Sequence, residues 1–573
     1  MSTTTTPSSV LVLGGSYAGL HAAELLAQQL PSHWTVTLIE RNTHFNHVYS
    51  FPRSVVAGHA QRNFIPYSAK ISKLNQLYQV PGKTTPRIRL INAAVTKIGD
   101  HRVFLDRMVD MDEPTSSTEP VSPPLHQPIH TSIHSSANSP PASVFTDSGY
   151  ASSVNPKTSP PSGKLVDPAL PSSANIESMP PPPSDPAPHR TFQVRWDFLV
   201  YALGSHMPSP LHLPVDTLRS KPNGVAFLED QKEAIAQAHK VVIVGGGALG
   251  IQYASDIAHR YQLLGAPKQV TLIHSRTVFL PTFQPEVGQK VTQALASYGV
   301  EVVLGERVNL AKLQGDLAAQ KARGSGKVTV ESLSHPNKRW EADMVLVCTG
   351  QTPNTSLMAQ FCPLAVHGGA HKYAGSSGLI RVNRGLQLSP SRLGASPVET
   401  PTGELFSCEC GSAALQHQQQ QQQHSAHLLK PPPREEETNI NPAWSRVFAI
   451  GDCVDGFGAI KAGHVGWNQA EVAARNILAS IAHLERQPSP LTTDQPACLP
   501  EVQLEQYVPS PPMIKLTLGL NRVVTQLRSP DDPAQLVVAE KTTALDADAS
   551  AAWREIWSRY DLVTEDQILD GWA

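Results

Sequence analysis

Val10 to Gln28 reads VLVLGGSYAGLHAAELLAQ, and Val241 to Ala258 reads VVIVGGGALGIQYASDIA. Each is an apolar run, a glycine-rich turn and an apolar segment with helical spacing. That order predicts a strand, a tight turn and a helix. In the first copy the glycines are Gly14, Gly15 and Gly19, and Ser16 stands where the second copy has Gly247. A small hydroxyl side chain fits a backbone that approaches a phosphate and can donate to it, so the serine does not disqualify the first turn.

The segments that follow separate the two copies. After the first, WTVTLIE (34–40) reads as a second strand ending in Glu40, completing a βαβ dinucleotide fingerprint. Gly14 permits the tight turn, Gly19 permits close packing of helix on strand, and Glu40 can accept from a ribose 2′-hydroxyl. After the second, with its Gly245, Gly247 and Gly250, the strand KQVTLIHSR (268–276) ends in His274, Ser275 and Arg276. An acid there would repel a 2′-phosphate, whereas Arg276 can pair with one. The expectation is NAD(P)H with NADPH favoured over strict NADH, the alternative being a solvated Arg276. One acidic and one basic strand end in one chain point to two different dinucleotides, a flavin and a nicotinamide.

The surrounding chain sets the limits. With 573 residues, 46 basic and 48 acidic side chains and a net charge of −2, bulk electrostatics give no reason to expect nucleic acid or an anionic membrane as partner. The six cysteines form no CxxC pair or zinc framework, so no metal site is expected; Cys348 reads as a core residue, and Cys408 and Cys410 fall in a low-complexity stretch. The N-terminus carries no signal-peptide pattern or myristoylation glycine, and no run of eighteen apolar residues occurs, which predicts a cytoplasmic protein with at most peripheral membrane contact.

The 50 prolines are concentrated. Residues 107–190 are dominated by Pro, Ser and Thr, and residues 389–444 contain QHQQQQQQH and KPPPREEE; both are expected to be disordered insertions, unable to bury enough surface to offset ordering entropy. They serve as tolerated linkers or, alternatively, as docking segments for protein partners, and TDSGYASS (146–153) offers hydroxyls for phosphorylation. The flanks RIRLINAAVTKIGDHRVFLD and FQVRWDFLVYALGS read as neighbouring strands pushed apart by the first insertion.

Three further stretches carry a resemblance. WDFLVYALGS (196–205) and ADMVLVCTGQTPN (342–354) resemble the crossover strands of two-dinucleotide flavoproteins, and VFAIGDCVDG (447–456) resembles their flavin-ribityl motif. The order of all five elements is that of the pyridine nucleotide-disulfide oxidoreductase superfamily, and the resemblance covers nearly all of the chain outside the insertions. The family's CxxxxC pair is missing from ERNTHFNHVYSFPRSVVAGHA (40–60), which removes dithiol chemistry. What remains is similar to the apoptosis-inducing-factor-like group, especially its AMID and ferroptosis-suppressor types; GGSYAG, FNHVYSFPR and AGHVGWNQAEVAARNI look most like fungal members.

The resemblance implies an α/β fold with two Rossmann-like domains and a small C-terminal α+β domain. The FAD domain is split over residues 8–225 and 351–480, the NAD(P) domain spans 226–350, and the C-terminal domain spans 481–573 with MIKLTLGLNR (513–522) as its first strand. It implies hydride transfer from NAD(P)H to FAD and delivery of electrons to a small acceptor, quinone-like or other. The alternatives are electron donation to a ferredoxin-like protein, or a redox-sensing, partner-binding flavoprotein with little turnover. Implied FAD contacts are Gly14, Gly15, Ser16, Gly19, Glu40, Arg41 and Asp452; implied nicotinamide contacts are Gly245, Gly247, Gly250 and Arg276. Arg53 and Lys461 are candidates for a cation beside the flavin, with structural ion pairs as the alternative, and His47 and His464 lie in similar segments. Gln252 stands where the family often carries an acid. Trp553, Ile556, Trp557 and Tyr560 share one helical face, expected to dock on the protein body, with a lipid surface or quinone entrance as the alternative.

Overall fold

The computed structural model describes residues 8–82, 85–110, 190–207, 213, 220–323, 326–367, 378–390, 441–486, 502–545, 554 and 556–558. TDSGYASS, Cys408, Cys410, Trp553, Tyr560 and most of both expected insertions lie outside them.

Val10 to Leu13 form the C-terminal part of a strand, Ser8–Leu13, and are buried on both of its faces. An apolar run without alternation is what a parallel strand covered on both sides requires. It pairs in parallel with Trp34–Glu40 on one side and Phe198–Tyr201 on the other; Ile88–Asn92 and Val447–Ala449 extend the sheet to five strands, all parallel. The strand from far along the chain, Val447–Ala449, thus closes one edge of the sheet beside Phe198–Tyr201. Helix Tyr17–Gln29 packs against this sheet and against the long helix Gly463–Arg486.

A second parallel sheet has four strands, ordered Glu301–Val303, Gln269–Ile273, Lys240–Val244 and Met344–Val347. Helix Ala248–Leu263 follows its central strand, as Tyr17–Gln29 follows Ser8–Leu13. A three-stranded antiparallel sheet, Ile514–Leu518, Arg522–Arg528 and Leu536–Thr542, sits against helices Ala248–Leu263 and Pro285–Ser297. The expected α/β class with two Rossmann-like sheets is therefore the architecture found.

The strands flanking the first long insertion do pair. Arg102–Asp110 runs antiparallel to Arg190–Arg195, from Arg102 opposite Arg195 to Asp110 opposite Arg190, with an irregularity between Phe104 and Val109. The strand therefore continues past the expected edge at residue 107, because its partner offers hydrogen bonds as far as Arg190. Likewise Pro442–Arg446 is a short 3₁₀ turn capped by the Asn441 side chain, which accepts from the Ala443 N–H. Helix Lys221–Gln237 spans residues 225 and 226, and helix Gly463–Arg486 continues past residue 480.

One element does not follow the sheet it borders in sequence. Phe51, Val55 and Val56 of helix Phe51–Ala57 are buried with Ile251, Tyr253 and Ile257 of the second sheet's helix and with Leu516 and Leu518 of the C-terminal sheet. Near the C-terminus, Ile556 and Trp557 are buried in the first core, and the Trp557 indole N–H donates to the Arg62 carbonyl at 2.8 Å. For these two residues, docking on the protein body is what the structure shows.

Candidate dinucleotide sites

The two glycine turns have the same internal geometry. Gly14 N–H donates to the Ile39 carbonyl at 2.9 Å, and Gly245 N–H donates to the Ile273 carbonyl at 2.8 Å. Both glycines take positive φ, 93° and 114°, and a Cβ on either would stand 2.6 Å from Ala202 O or 2.3 Å from Cys348 O. The closing glycines are tighter still: a Cβ on Gly19 would lie 1.9 Å from Gly14 O, and one on Gly250 would lie 1.9 Å from Gly245 O. Only glycine fits these four positions.

Ser16 and Gly247 are different. They occupy the helix N-caps with φ of −78° in both and ψ of −162° and 179°, an extended backbone that any residue adopts. A Cβ on Gly247 would meet nothing within 4 Å. Neither backbone strain nor packing asks for glycine there, so the space in front of the helix is free for a ligand. The first N–H groups of each helix point into that space without an intrahelical partner, and the helix dipole adds positive potential. The Ser16 side chain makes no capping bond to its helix. A diphosphate suits both positions.

The strand ends carry the contrast. Gly15 N–H donates to Glu40 Oε2 at 2.6 Å, while Glu40 Oε1 accepts from the Asn42 N–H at 2.9 Å and the Asn42 amide at 2.8 Å. The Tyr67 hydroxyl donates to the Gly15 carbonyl at 2.9 Å. At the matching place in the second turn, Gly246 N–H donates to His274 Nδ1 at 3.1 Å. With Nδ1 accepting, the neutral ring carries its hydrogen on Nε2, and that atom is buried without a partner. Burial, then the nearby Arg276 charge, lowers the His274 pKa and favours this neutral form. His274 stacks on Phe279, centroids 5.8 Å apart and planes 7° from parallel, and Arg276 is exposed beside it. The first strand end thus presents an acceptor and the second a donor. The sequence names His274 only as a strand end; its equivalence to Glu40 lies in the shared glycine contact.

The three later signatures converge on Asp452. The Ser205 hydroxyl stands 2.6 Å from Gln351 Oε1 and 3.2 Å from Asp452 Oδ2. Next to it, the Tyr201 hydroxyl donates to the Asn354 carbonyl at 2.6 Å, and the Asn354 amide donates to the Leu203 carbonyl at 2.9 Å. Burial raises the Asp452 carboxyl pKa, against the opposing effects of Ser205, Lys461 and Gln351. The Lys461 ammonium donates to the Val454 carbonyl, and burial lowers its pKa while the Asp452 and Asp455 carboxylates oppose the shift. Lys461 therefore belongs to the Asp452 neighbourhood.

Arg53 does not join that neighbourhood. It forms a buried ion pair with Asp256 of the second nucleotide helix, which is one of the two readings its sequence position allows. Around Tyr17, the hydroxyl lies 2.8 Å from His47 Nδ1, and the ring meets Phe45 edge-on at 4.9 Å. His464 Nε2 is a second buried ring nitrogen without a partner, and burial lowers its pKa. Arg41 is half-buried at the end of its strand. Cys348, Cys362 and Cys453 are free and buried, with thiols pushed up to about 12, 11 and 12, so none of them is a ready thiolate.

The residues fit two dinucleotides: two glycine turns that lead into helix N-termini, and orphaned ring nitrogens at His274 and His464. The pyridine nucleotide-disulphide oxidoreductase family matches residues 175–383. Fe-regulated protein 8 of Mycosarcoma maydis is 29% identical over 97% of this chain and 96% of its own. A ferroptosis suppressor protein 1 of Xenopus tropicalis is 30% identical over 29% of this chain and 41% of its own, so that likeness spans less than half of the relative. Among solved structures, the sulfide:quinone oxidoreductase of Aquifex aeolicus shares the fold, with a TM-score of 0.53 and 12% identity over 97% of this chain and 92% of that one.

The match to the pyridine nucleotide-disulphide oxidoreductase family thus covers residues 175–383, while the likeness to Fe-regulated protein 8 runs nearly the whole length of the chain. Further relatives include an apoptosis-inducing factor homolog B of Dictyostelium discoideum, 24% identical over 28% of this chain and 43% of its own.

Proposed function

We propose that the chain oxidises NAD(P)H, with NADPH favoured, and passes the electrons through FAD to a small quinone-like acceptor. FAD would be held by residues 8–225 and 351–480, through Gly14, Gly15, Ser16, Gly19, Glu40, Arg41 and Asp452. The nicotinamide nucleotide would be held by residues 226–350, through Gly245, Gly247, Gly250 and Arg276, to which the structure suggests adding His274. The observation that carries this reading is the pair of superposable turns with opposite strand ends, an acceptor at Glu40 and donors at His274 and Arg276.

When bound, the flavin supplies two-electron chemistry with the nicotinamide. The chain's own residues would seat two diphosphates on two helix N-termini and orient the riboses, with Lys461 and Asp452, which act on each other's charge, holding the flavin. A cation there would stabilise developing negative charge. No general base is required. Among the described residues, no helix is long and apolar enough to cross a membrane.

The test is steady-state oxidation of NADPH and NADH by the flavin-loaded protein with a short-chain quinone. Acceptor-dependent turnover with a lower KM for NADPH is expected. Bound flavin without turnover on either nucleotide would leave the partner-binding flavoprotein instead, and purified protein unable to bind FAD would overturn both.

A further inference from the structure

The flavin-flanking segment and the nicotinamide helix are tied together by one buried ion pair. Arg53 lies on helix Phe51–Ala57, directly after the segment that brings Phe45 and His47 to Tyr17. Asp256 lies on helix Ala248–Leu263, whose N-terminus is the second glycine turn. Arg53 Nε donates to Asp256 Oδ2 at 2.8 Å and a terminal guanidinium nitrogen donates to Oδ1 at 3.1 Å, with side-chain exposures of only 4% and 0%. The same guanidinium nitrogen donates to the Gly519 carbonyl at 2.7 Å.

That third bond brings in the C-terminal sheet. Gly519 lies in the turn between Ile514–Leu518 and Arg522–Arg528, with φ of 64°; a Cβ there would stand 2.6 Å from His259 Nδ1 and 2.8 Å from the Tyr298 hydroxyl. Leu520 N–H donates to His259 Nδ1 at 3.1 Å, and the Tyr298 hydroxyl donates to the Leu518 carbonyl at 3.1 Å. The His259 and Tyr298 rings stack 4.5 Å apart. The turn is thus gripped by Arg53 from the flavin side and by His259 and Tyr298 from the nicotinamide side. A fork of fixed donors sets an angle as well as a distance, which apolar packing alone does not.

We propose that Arg53 and Asp256, with the Gly519 turn as their backstop, are positioning residues for hydride transfer: they hold the two dinucleotide sites at the separation and angle the reaction needs. The proposal rests on the two-dinucleotide reading above. A misplacement of about 1 Å from a remote change is enough to cost on the order of 10²-fold in rate.

The experiment compares wild type with Asp256→Asn, Arg53→Lys and the double variant Arg53→Met/Asp256→Leu. The double variant fills the space with apolar groups and guards against a misfolded single variant, since such replacements of buried ion pairs are well tolerated. In the FAD-loaded proteins, flavin content and nucleotide affinity should match wild type. The rate of flavin reduction in a single anaerobic turnover should fall on the order of 10- to 10²-fold, with the deuterium isotope effect at nicotinamide C4 fully expressed. Arg53→Lys should recover part of the rate. Reduction at the wild-type rate per bound flavin, or a loss that only follows lost flavin or nucleotide, would overturn the proposal.

A second readout needs no cofactor. In the apo-protein, Asp256→Asn should speed hydrogen exchange in both residues 51–57 and residues 518–520; a change confined to the helix bearing residue 256 would overturn the coupling. A wild type that takes up no flavin, or is not reduced by either nucleotide, would sink the functional reading instead, and the exchange measurement would still decide whether the tie exists.

Discussion

The first glycine turn and the second share a backbone and differ in what faces it. Gly14 and Gly245 hold the same bond to the neighbouring strand, and Gly19 and Gly250 hold the same impossible distance for a Cβ. At the next position, however, Gly15 donates to a carboxylate and Gly246 to an imidazole. In the function proposed above, the shared backbone would seat a diphosphate in each turn, and the side chain at the strand end would set which nucleotide each turn prefers. Glycine is demanded by the fold at the outer positions and only by the ligand at the middle one.

The largest effects should come from breaking the backbone. Gly19→Ala and Gly250→Ala each place a methyl 1.9 Å from a carbonyl oxygen, so the helix must move off its strand. About 3 kcal/mol of destabilisation is expected for each. The comparison predicts separable losses: Gly19→Ala yields protein without yellow flavin, while Gly250→Ala keeps flavin that NAD(P)H no longer reduces. Absorbance of the purified variants, followed by anaerobic titration with NADPH, checks both. Loss of flavin in both variants alike would mean that the two turns do not serve separate ligands.

Next come the middle positions. Ser16→Gly should keep flavin, because Ser16 already has the backbone of Gly247 and an N-cap serine replaced by glycine loses only a few tenths of a kcal/mol. Ser16→Leu should lose flavin by filling the space of the diphosphate while leaving thermal stability of the apo-protein nearly unchanged. If Ser16→Leu still binds FAD, the first turn is not its diphosphate site.

A smaller effect is expected at the second strand end. Arg276 is exposed, so its pairing with a 2′-phosphate stands at the low end for charge-assisted bonds, about 1.5 kcal/mol or a little over tenfold. Arg276→Ala should raise the KM for NADPH by that factor and leave the KM for NADH alone. Equal changes for both nucleotides would remove Arg276 from discrimination.

The parts of this protein legible in its sequence are those set by neighbours in the chain. The apolar runs before Gly14 and Gly245, the glycines themselves and the strand ends follow each other within a few tens of residues, and the α/β class with two parallel sheets follows from them. Long-range partnerships were not legible. Arg53 sits among flavin-flanking residues in sequence, but its helix is buried in the second core and its charge meets Asp256 and Gly519. Nothing near residue 53 announces a partner more than two hundred positions away. The strand edge at Asp110 was missed for the same reason, since its hydrogen bonds come from Arg190, across the whole first insertion.

The smallest predicted effect tests the His274 side of the comparison. Burial and Arg276 lower the His274 pKa, and the bond from Gly246 N–H requires Nδ1 to stay unprotonated. Below the ordinary histidine value of about 6.5 the unfolded chain then binds more protons than the folded one, so stability falls as pH falls. His44, lowered to about 4 by burial and then by the Lys221 charge, contributes in the same direction and extends the loss down to about pH 4. Urea midpoints of the apo-protein measured from pH 7 to pH 4 should therefore decline. His274→Gln and His44→Gln should each flatten that decline below about pH 6.5, with the His44→Gln effect reaching down to about pH 4. An unchanged slope in His274→Gln would show that the ring can take a proton without leaving Gly246, and the donor–acceptor contrast between the two turns would lose its structural basis at the second.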